Sequence, residues 1–272
     1  MSLSETKRLL RNYRIVPNKL LGQNFMVEPE FYSKLSKYAD LNHADVVLDA
    51  GAGFGFLTLF IAEICKAVVA VEKDDRIAEV LREQVKRCSN VRVLKGDILK
   101  IELPGFSKLV SIPPYYLSRH LVMWLLERKV DCAVLILQSE FAEKLVASVG
   151  SDNYGWLTVL AFNEAKVDLL DPVPKSMFYP QPKVDSVIVR LTRRKAALFQ
   201  VENEIFFHNL VRWLFTQRNK KIRNALLSYL RNTRRIDGTQ ADRLASGLHF
   251  GDKRVRELSP QEFGEVAGAL DA

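Results

Sequence analysis

The chain has 272 residues, of which 48% are hydrophobic and 26% are charged, and it carries a net charge of +8. This composition is that of an ordinary globular protein with a sizeable core, and it excludes a disordered or fibrous chain. The three cysteines stand singly without a histidine cluster nearby, so the sequence predicts reduced thiols and no metal site. The basic N-terminus lacks an apolar stretch long enough for a leader or a membrane span, so we expect a soluble, cytoplasmic protein.

Between residues 30 and 190, short β-rich runs alternate with longer amphipathic stretches. This order predicts an α/β domain built on a mostly parallel sheet with helices on its faces. The predicted strands are 46–50, 67–72, 91–96, 108–112 and 132–138, followed by a pair near 157–170 and 184–192. The helices between them are predicted to begin near Leu57, Asp75, Leu117 and Ser139.

The strand pattern stops after Thr192, and amphipathic segments follow. Apolar residues at helical spacing predict four short helices there. Their sequences are FFHNLVRWLF, KKIRNALLSYL, TQADRLASGL and SPQEFGEVAGAL. We therefore expect two domains, an α/β domain at residues 1–192 and a small all-α domain at residues 193–272.

A glycine-rich turn, DAGAGFG, follows the first strand of the predicted sheet. Glycines such as Gly51 and Gly53 let the backbone leave a strand sharply, approach a ligand closely and enter a helix. The spacing is G-x-G-x-G, whereas dinucleotide-binding turns have G-x-G-x-x-G, and no phosphate-binding lysine follows. The turn indicates a nucleotide-like ligand of another kind.

Acidic residues stand at the ends of the next two strands. Glu72 ends the second strand and Asp97 follows the third, at the sheet edge where open α/β sheets bind ligands. A carboxylate at the first position can accept from both hydroxyls of a ribose, and one at the second from an adenine amino group. Each acid alone is an ordinary loop carboxylate, but three such features at consecutive strand ends predict a nucleoside site.

The stretch LVSIPPYY follows the fourth predicted strand. Two consecutive prolines fix the backbone and remove its donors, so carbonyl oxygens point outward beside the flat face of Tyr115. This arrangement indicates a site for a planar ligand. A strand-ending turn with a core tyrosine would produce the same pattern.

Positive charge is concentrated between residues 190 and 235. That segment holds twelve lysines and arginines against two glutamates, a net charge of +10, which exceeds the charge of the whole chain. Such a segment indicates a polyanionic partner such as nucleic acid, although a solvated helix face is also rich in charge.

The motifs DAGAGFG, VAVEKD and KGDIL resemble, in this order, those of class I S-adenosylmethionine-dependent methyltransferases. The stretch IPPY resembles the (Asn/Asp)-Pro-Pro-Tyr or Asn-Leu-Pro-Tyr motif of adenine N6 methyltransferases. Further segments are similar to the ribosomal RNA adenine dimethyltransferase family, in its small-subunit branch rather than its antibiotic-resistance branch. They are PNKLLGQNFM (17–26), QSEFAEKL (138–145), YGWLTV (154–159), FYPQPKVDS (178–186), QRNKKIRNAL (217–226) and RVRELSPQEF (254–263).

The resemblance implies a Rossmann-like catalytic domain that binds S-adenosylmethionine and a helical domain that binds RNA. The implied substrate is a pair of adjacent adenosines near the 3′ end of small-subunit ribosomal RNA, in an assembling subunit. The sequence does not determine the oligomeric state, and a monomer is the default expectation. The implied cofactor residues are Gln23, Asn24, Met26, Gly51, Gly53, Glu72 and Asp97. The implied phosphate contacts are Arg218, Lys220, Lys221 and Arg223, extended by a basic N-terminal arm.

The family pattern also implies the acceptor residues. An Asn side chain and the next carbonyl accept from the adenine amine, while two aromatic residues hold the base. Ungapped matching assigns the Asn position to Ile112 and the carbonyl to Pro113. It assigns the Pro-Tyr pair to Pro114 and Tyr115, and the second aromatic position to Phe178. Isoleucine offers no acceptor at the Asn position, and Ser111 replaces it only if the turn is shifted by one residue. We therefore expect transfer slowed by about ten- to a hundredfold and an incomplete second methylation.

Other functions remain compatible with parts of the pattern. An RNA-binding assembly factor with little catalysis would explain Ile112. An NAD-dependent dehydrogenase shares the sheet type, although the glycine spacing and IPPY argue against it. A DNA adenine methyltransferase shares the site chemistry, but the terminal segments resemble the ribosomal family.

Overall fold

The computed structural model describes residues 2–18, 21–128 and 130–271. The chain forms two compact units, one of Met1–Ala142 and Lys166–Arg193 and the other of Glu143–Ala165 and Arg194–Ala272. The sequence-based division, 1–192 and 193–272, differs because residues 143–165 cluster with the helical unit. They do so through contacts such as the hydrogen bond from the Tyr154 hydroxyl to the Leu258 carbonyl, at 2.7 Å.

The first unit contains the sheets. The strands are β1 Phe25–Met26, β2 Val46–Ala50, β3 Ala67–Glu72, β4 Val91–Lys95, β5 Lys108–Ser111, β6 Cys132–Gln138, β7 Ala165–Val173, β8 Phe178–Tyr179 and β9 Ser186–Arg193. A seven-stranded sheet has the order β4-β3-β2-β5-β6-β9-β7. Strands β2 to β6 pair in parallel and β9 is antiparallel to β6. The predicted sheet, mostly parallel with an antiparallel strand near its end, is confirmed.

The first unit has one helix before its first strand and further helices between its strands. They are α1 Leu3–Asn12, α2 Glu30–Tyr38, α3 Phe56–Ala62, α4 Asp75–Val85, α5 Ser118–Arg128 and α6 Ser139–Glu143, the last of which ends at the start of the second unit. The start of α4 is fixed by Asp74, whose carboxylate accepts from the N–H groups of Arg76 and Ile77. The side chains of β2, β3, β5 and β6 are almost all buried, as expected for parallel strands covered on both faces.

A two-stranded ribbon, β1 with β8, was not predicted. It pairs Phe25 with Tyr179 and Met26 with Phe178, and the next N–H, of Val27, donates to the Met177 carbonyl. The ribbon joins two segments that are about 150 residues apart in the chain. It therefore brings Phe178 beside the N-terminal segment that precedes the sheet.

The second unit is helical. Its helices are α7 Trp156–Glu164, α8 Glu204–Phe215, α9 Ile222–Asn232, α10 Gly238–Ser246 and α11 Pro260–Asp271. The four helices predicted after residue 192 are confirmed. The strand predicted to begin at residue 157 is wrong, because residues 157–164 belong to α7 and the strand β7 begins at Ala165. In the residues that the structure describes, no helix is long and apolar enough to cross a membrane.

Candidate cofactor and acceptor site

A cleft that is open to solvent lies at the carboxyl ends of β2, β3 and β4 in the first unit. Six of the predicted cofactor residues line it: Gln23, Asn24, Gly51, Gly53, Glu72 and Asp97. The seventh, Met26, lines a smaller cavity that shares Asn24, Phe25, Gly51, Gly53 and Ile112 with the cleft.

The turn after β2 needs glycine for two reasons. Gly51 has φ +81°, a conformation that side-chain-bearing residues rarely adopt, and a Cβ at this position would lie 2.6 Å from Cδ of Pro114. The N–H groups of Gly51 and Ala52 both donate to the Val71 carbonyl on β3, at 2.8 and 3.0 Å. The glycine turn after β2 and the IPPY turn therefore pack directly against each other.

Glu72 is held by backbone donors. One carboxylate oxygen, Oε2, accepts from the Gly53 N–H at 3.0 Å, and the other, Oε1, accepts from Lys73 and Asp74, both at 2.8 Å. Burial raises the pKa of Glu72, and these three N–H groups oppose that rise. The carboxylate is thus fixed in orientation at the cleft before any ligand binds.

Asp97 is held by one backbone donor and one cation. Its Oδ1 accepts from the Leu99 N–H at 3.1 Å, and its Oδ2 lies 3.0 Å from Nζ of Lys73. Burial raises the pKa of Asp97, but the Lys73 ammonium and the Leu99 N–H outweigh burial, so that the net pKa lies below its usual value. Sequence reasoning assigned no role to Lys73.

The N-terminal segment closes the cleft from one side. Gln23 accepts from the Asn18 N–H at 2.8 Å and donates to Asp74 at 3.1 Å, while the Asn24 amide donates to the Gly22 carbonyl at 3.2 Å. Gly22 has φ +58°, and a Cβ there would be 3.3 Å from the nitrogen of Tyr115. Lys19 and Leu20 of the same motif lie outside the described residues.

The IPPY turn begins directly after β5. Ile112 lines both the cleft and the smaller cavity, and its side chain has no polar atom. Ser111 is fully buried, and its hydroxyl donates to the Ala50 carbonyl at 2.6 Å. Ser111 therefore does not take the place of the missing Asn side chain. Pro113 is buried, and Pro114 lines the cleft.

The two predicted stacking residues are neighbours. The rings of Tyr115 and Phe178 are 6.3 Å apart between centroids at an interplanar angle of 69°, and the Tyr115 hydroxyl lies 2.7 Å from Oγ of Ser186. Phe178 is only 4% exposed. This edge-to-face contact leaves no gap for a base between the rings, so stacking there requires them to separate. Tyr116, which sequence reasoning did not select, is 44% exposed and lines the cleft.

Asp49 is another residue that sequence reasoning missed. It is buried at the end of β2, lines the smaller cavity and accepts a hydrogen bond of 2.7 Å from the Thr58 hydroxyl. Burial raises the pKa of Asp49 to about 7, and the nearby Glu72 carboxylate adds to this rise. The feature of the sequence that could have identified Asp49 is its place as a carboxylate inside an otherwise apolar strand, VVLDA.

The predicted phosphate-binding residues lie in the second unit and differ in their partners. The Arg218 guanidinium donates to the carbonyls of Asp152 and Ser151, at 3.1 and 3.2 Å. Lys221 forms an ion pair with Asp252 at 2.7 Å. Lys220 and Arg223 are exposed. Arg218 is thus bound to a loop of its own unit, whereas the other three lie at the surface, with Lys221 in its ion pair.

The strand order, the glycine turn and the acids at consecutive strand ends define a class I methyltransferase fold with a site for a nucleoside cofactor. Among the described residues, no group of three or more His, Cys, Asp or Glu side chains is placed to hold a metal ion. The ribosomal RNA adenine dimethylase family matches residues 16–257, and the chain belongs to this family.

Relatives and solved structures agree with this assignment. The chain is 36% identical to a probable ribosomal RNA small subunit methyltransferase A of Methanosarcina barkeri, over 98% of this chain and 92% of the relative. It is 35% identical to the protein of the same description from Thermococcus gammatolerans, over 95% of this chain and 91% of the relative.

The fold is similar to that of a dimethyladenosine transferase from Plasmodium falciparum, with a TM-score of 0.77 and 26% identity over 90% of this chain and 96% of the other. It is also similar to the 23S rRNA methyltransferase ErmE, with a TM-score of 0.67 and 28% identity over 91% and 100% of the two chains. Family membership makes the chain an S-adenosylmethionine-dependent rRNA adenine N6-methyltransferase. The dehydrogenase and DNA-methyltransferase alternatives are therefore wrong.

Proposed function

We propose that the chain methylates N6 of two adjacent adenosines near the 3′ end of small-subunit ribosomal RNA, in an assembling small subunit. The observation that carries this proposal is the contact of Gly51 with Pro114, which joins the cleft to the turn that would orient the amine. The descriptions of the two archaeal relatives support the small subunit as substrate.

The cleft fits the family's cofactor because its acids are oriented in advance. S-adenosylmethionine supplies an activated methyl group on a positively charged sulfur. Glu72, fixed by three N–H donors, would accept from the ribose hydroxyls, and Asp97 would accept from the exocyclic amine of the cofactor's adenine. Gln23, Asn24 and Met26 would lie over the methionine part, with Gly51 and Gly53 allowing close approach.

The acceptor amine needs orientation more than activation. The target nitrogen must aim its lone pair at the methyl group, which requires acceptors for its N–H bonds and a surface that holds the ring. The Pro113 carbonyl would accept one N–H, and Tyr115 and Phe178 would hold the base after their rings separate. Because Ile112 accepts nothing, one hydrogen bond is lost, which costs about 1 to 3 kcal/mol, or roughly ten- to a hundredfold in rate.

RNA would be held by the helical unit through phosphate contacts that position the substrate without reading its sequence. Lys220, Lys221 and Arg223 present the charge for this, whereas Arg218 maintains the loop to which it is bonded. The protein would act as a cytoplasmic monomer without a metal ion. An assembly factor with little catalysis is the second candidate, and the absence of an acceptor at Ile112 favours it.

The test is to map methylation on small subunits that lack it. Labelled S-adenosylmethionine is supplied with undermethylated small subunits, and label is located by digestion and by primer extension, which dimethyladenosine blocks. We expect label at two adjacent adenosines near the 3′ end, none on already methylated subunits, and loss of transfer in Glu72→Gln. Absence of label while cofactor and subunit both bind would favour the assembly factor instead.

A further inference from the structure

Lys73 links the ends of two strands at the cleft. It follows β3, its backbone N–H donates to Glu72 at 2.8 Å, and its ammonium lies 3.0 Å from Oδ2 of Asp97 beyond β4. The Lys73 side chain is 50% exposed and that of Asp97 is 23% exposed, and both residues line the cleft. The ion pair is therefore part of the wall that a nucleoside would contact.

Both oxygens of Asp97 already have donors. Lys73 engages Oδ2 from the end of β3, and the Leu99 N–H engages Oδ1 at 3.1 Å. Lys100 from the same loop and Tyr116 from the IPPY turn also face this carboxylate. The two donors fix the rotation of the carboxylate, and the ammonium favours its ionised form.

The ionisation state of Asp97 determines which purine its carboxyl group can bind. An ionised carboxylate only accepts hydrogen bonds, so it attracts a 6-amino group and repels the lone pairs of a 6-oxo group. A protonated Asp97 could donate to a 6-oxo group instead. Selection of an aminopurine therefore depends on keeping the acid ionised and its oxygens in place.

We propose that Lys73 is a positioning residue that holds Asp97 as a fixed, ionised acceptor and thereby makes the cleft selective for 6-aminopurine cofactors. The inference rests on the proposed function, since it takes an adenosyl group as the ligand of the cleft. The resemblance to the family assigned Asp97 but gave Lys73 no role.

The test compares two ligands that differ only at the purine. Calorimetry measures the affinity of the full chain for S-adenosylhomocysteine and for S-inosylhomocysteine, at pH 8 and at pH 5.5. The variant is Lys73→Met. The matched control is Lys95→Met, because Lys95 pairs with Asp75 at 3.1 Å and is 51% exposed, close to the values for Lys73, but does not line the cleft. Lys73→Arg tests rescue by another cation.

We expect the wild-type chain to prefer the adenosyl ligand at both pH values. Lys73→Met should lose about three- to tenfold of this preference, and more at pH 5.5 than at pH 8, because the variant lacks the ammonium that lowers the pKa of Asp97. Lys73→Arg should restore the preference, and Lys95→Met should keep it.

Several results would overturn the inference. An unchanged preference in Lys73→Met, an equal loss of affinity for both ligands, or the same loss in Lys95→Met would each show that Lys73 does not act through Asp97. If the wild-type chain bound neither ligand, the proposed cofactor site itself would fail. That result is distinguishable because it appears before any variant is compared.

Discussion

At the scale of single residues, we propose that Ile112 limits how well the target amine can be held. It stands where the family pattern has an amide acceptor, lines both the cleft and the smaller cavity, and packs against the core. The orientation of the amine would then depend on the Pro113 carbonyl. This loss matters most for the second methylation, since the amine then retains a single proton.

We predict that Ile112→Asn increases the rate of the second methyl transfer by about tenfold, because it restores one acceptor worth about 1 to 3 kcal/mol. The measurement is the ratio of dimethyladenosine to monomethyladenosine at fixed time. Ile112→Leu is the control, since it keeps the side chain apolar, and thermal unfolding verifies that both variants fold. An unchanged ratio in a folded Asn variant would show that the turn orients the amine by another group.

Burial of the Asp49 carboxyl group makes the stability of the folded chain depend on pH. Its pKa is about 7 in the folded chain, near Thr58, Glu72 and Tyr32, whereas an unfolded aspartate has a pKa of about 3.9. A raised acid pKa contributes stability that is complete below the unfolded pKa and is lost as the pH rises through the folded pKa. The wild-type chain therefore loses this contribution between about pH 4 and pH 7.

We predict that Asp49→Asn, which stays neutral, is more stable than the wild-type chain by on the order of 4 kcal/mol at pH 8 and by little at pH 4. Denaturant unfolding across this range measures the difference, and affinity for S-adenosylhomocysteine should fall at the same time. A stability difference that is independent of pH would contradict a raised pKa of Asp49 in the folded chain.

Asp45 provides a control, because its contribution to stability changes with pH in the opposite direction from that of Asp49. Burial raises the pKa of Asp45, but Lys108, 3.0 Å away, and the Asn42 N–H outweigh it and leave the net pKa below its usual value. Its contribution is present at neutral pH and is lost as the pH falls through the folded pKa. Asp45→Asn should therefore be destabilised at pH 8, and this loss should shrink in acid.

At the scale of elements, the sequence predicted β2 to β6 and the tail helices because their apolar patterns are long and regular. The prediction from sequence was wrong at α7, because an apolar run with Thr158, Val159 and Phe162 fits a buried strand as well as a buried helix. The structure makes it a helix that begins after Gly155, whose N–H donates to the Thr158 hydroxyl at 3.1 Å. The β1–β8 ribbon is only two residues long on each side and shows no periodicity.

Residues 218–223, in the loop before α9 and in its first turn, combine the proposed RNA contacts with a structural contact. We predict that Lys220→Glu combined with Arg223→Glu weakens RNA binding and lowers its salt dependence by roughly one to two phosphate contacts, without a change in cofactor affinity. Arg218→Ala should instead lower the melting temperature, because it removes the bonds to the 151–152 carbonyls. Filter binding over a salt series and thermal unfolding measure the two effects. An unchanged salt slope in the double variant would remove these residues from the RNA surface.

At the scale of the whole molecule, the order of motifs along the chain was enough to place Gly51, Glu72 and Asp97 at one sheet edge. Parallel strands end at the same edge, so sequence position alone implies spatial proximity there. The Lys73–Asp97 ion pair and the edge-to-face contact of Tyr115 with Phe178 were not predictable. They depend on side-chain rotamers and on a long-range ribbon, and no local pattern in the sequence encodes either of them.

The most direct test of the account is a time course of monomethyladenosine and dimethyladenosine in undermethylated small subunits, measured by nucleoside analysis with the wild-type chain. We predict that monomethyladenosine accumulates first and that the second transfer is slower by roughly ten- to a hundredfold, because Ile112 leaves the amine with one acceptor. Dimethyladenosine that forms without accumulation of the monomethyl product would contradict the account of the acceptor turn.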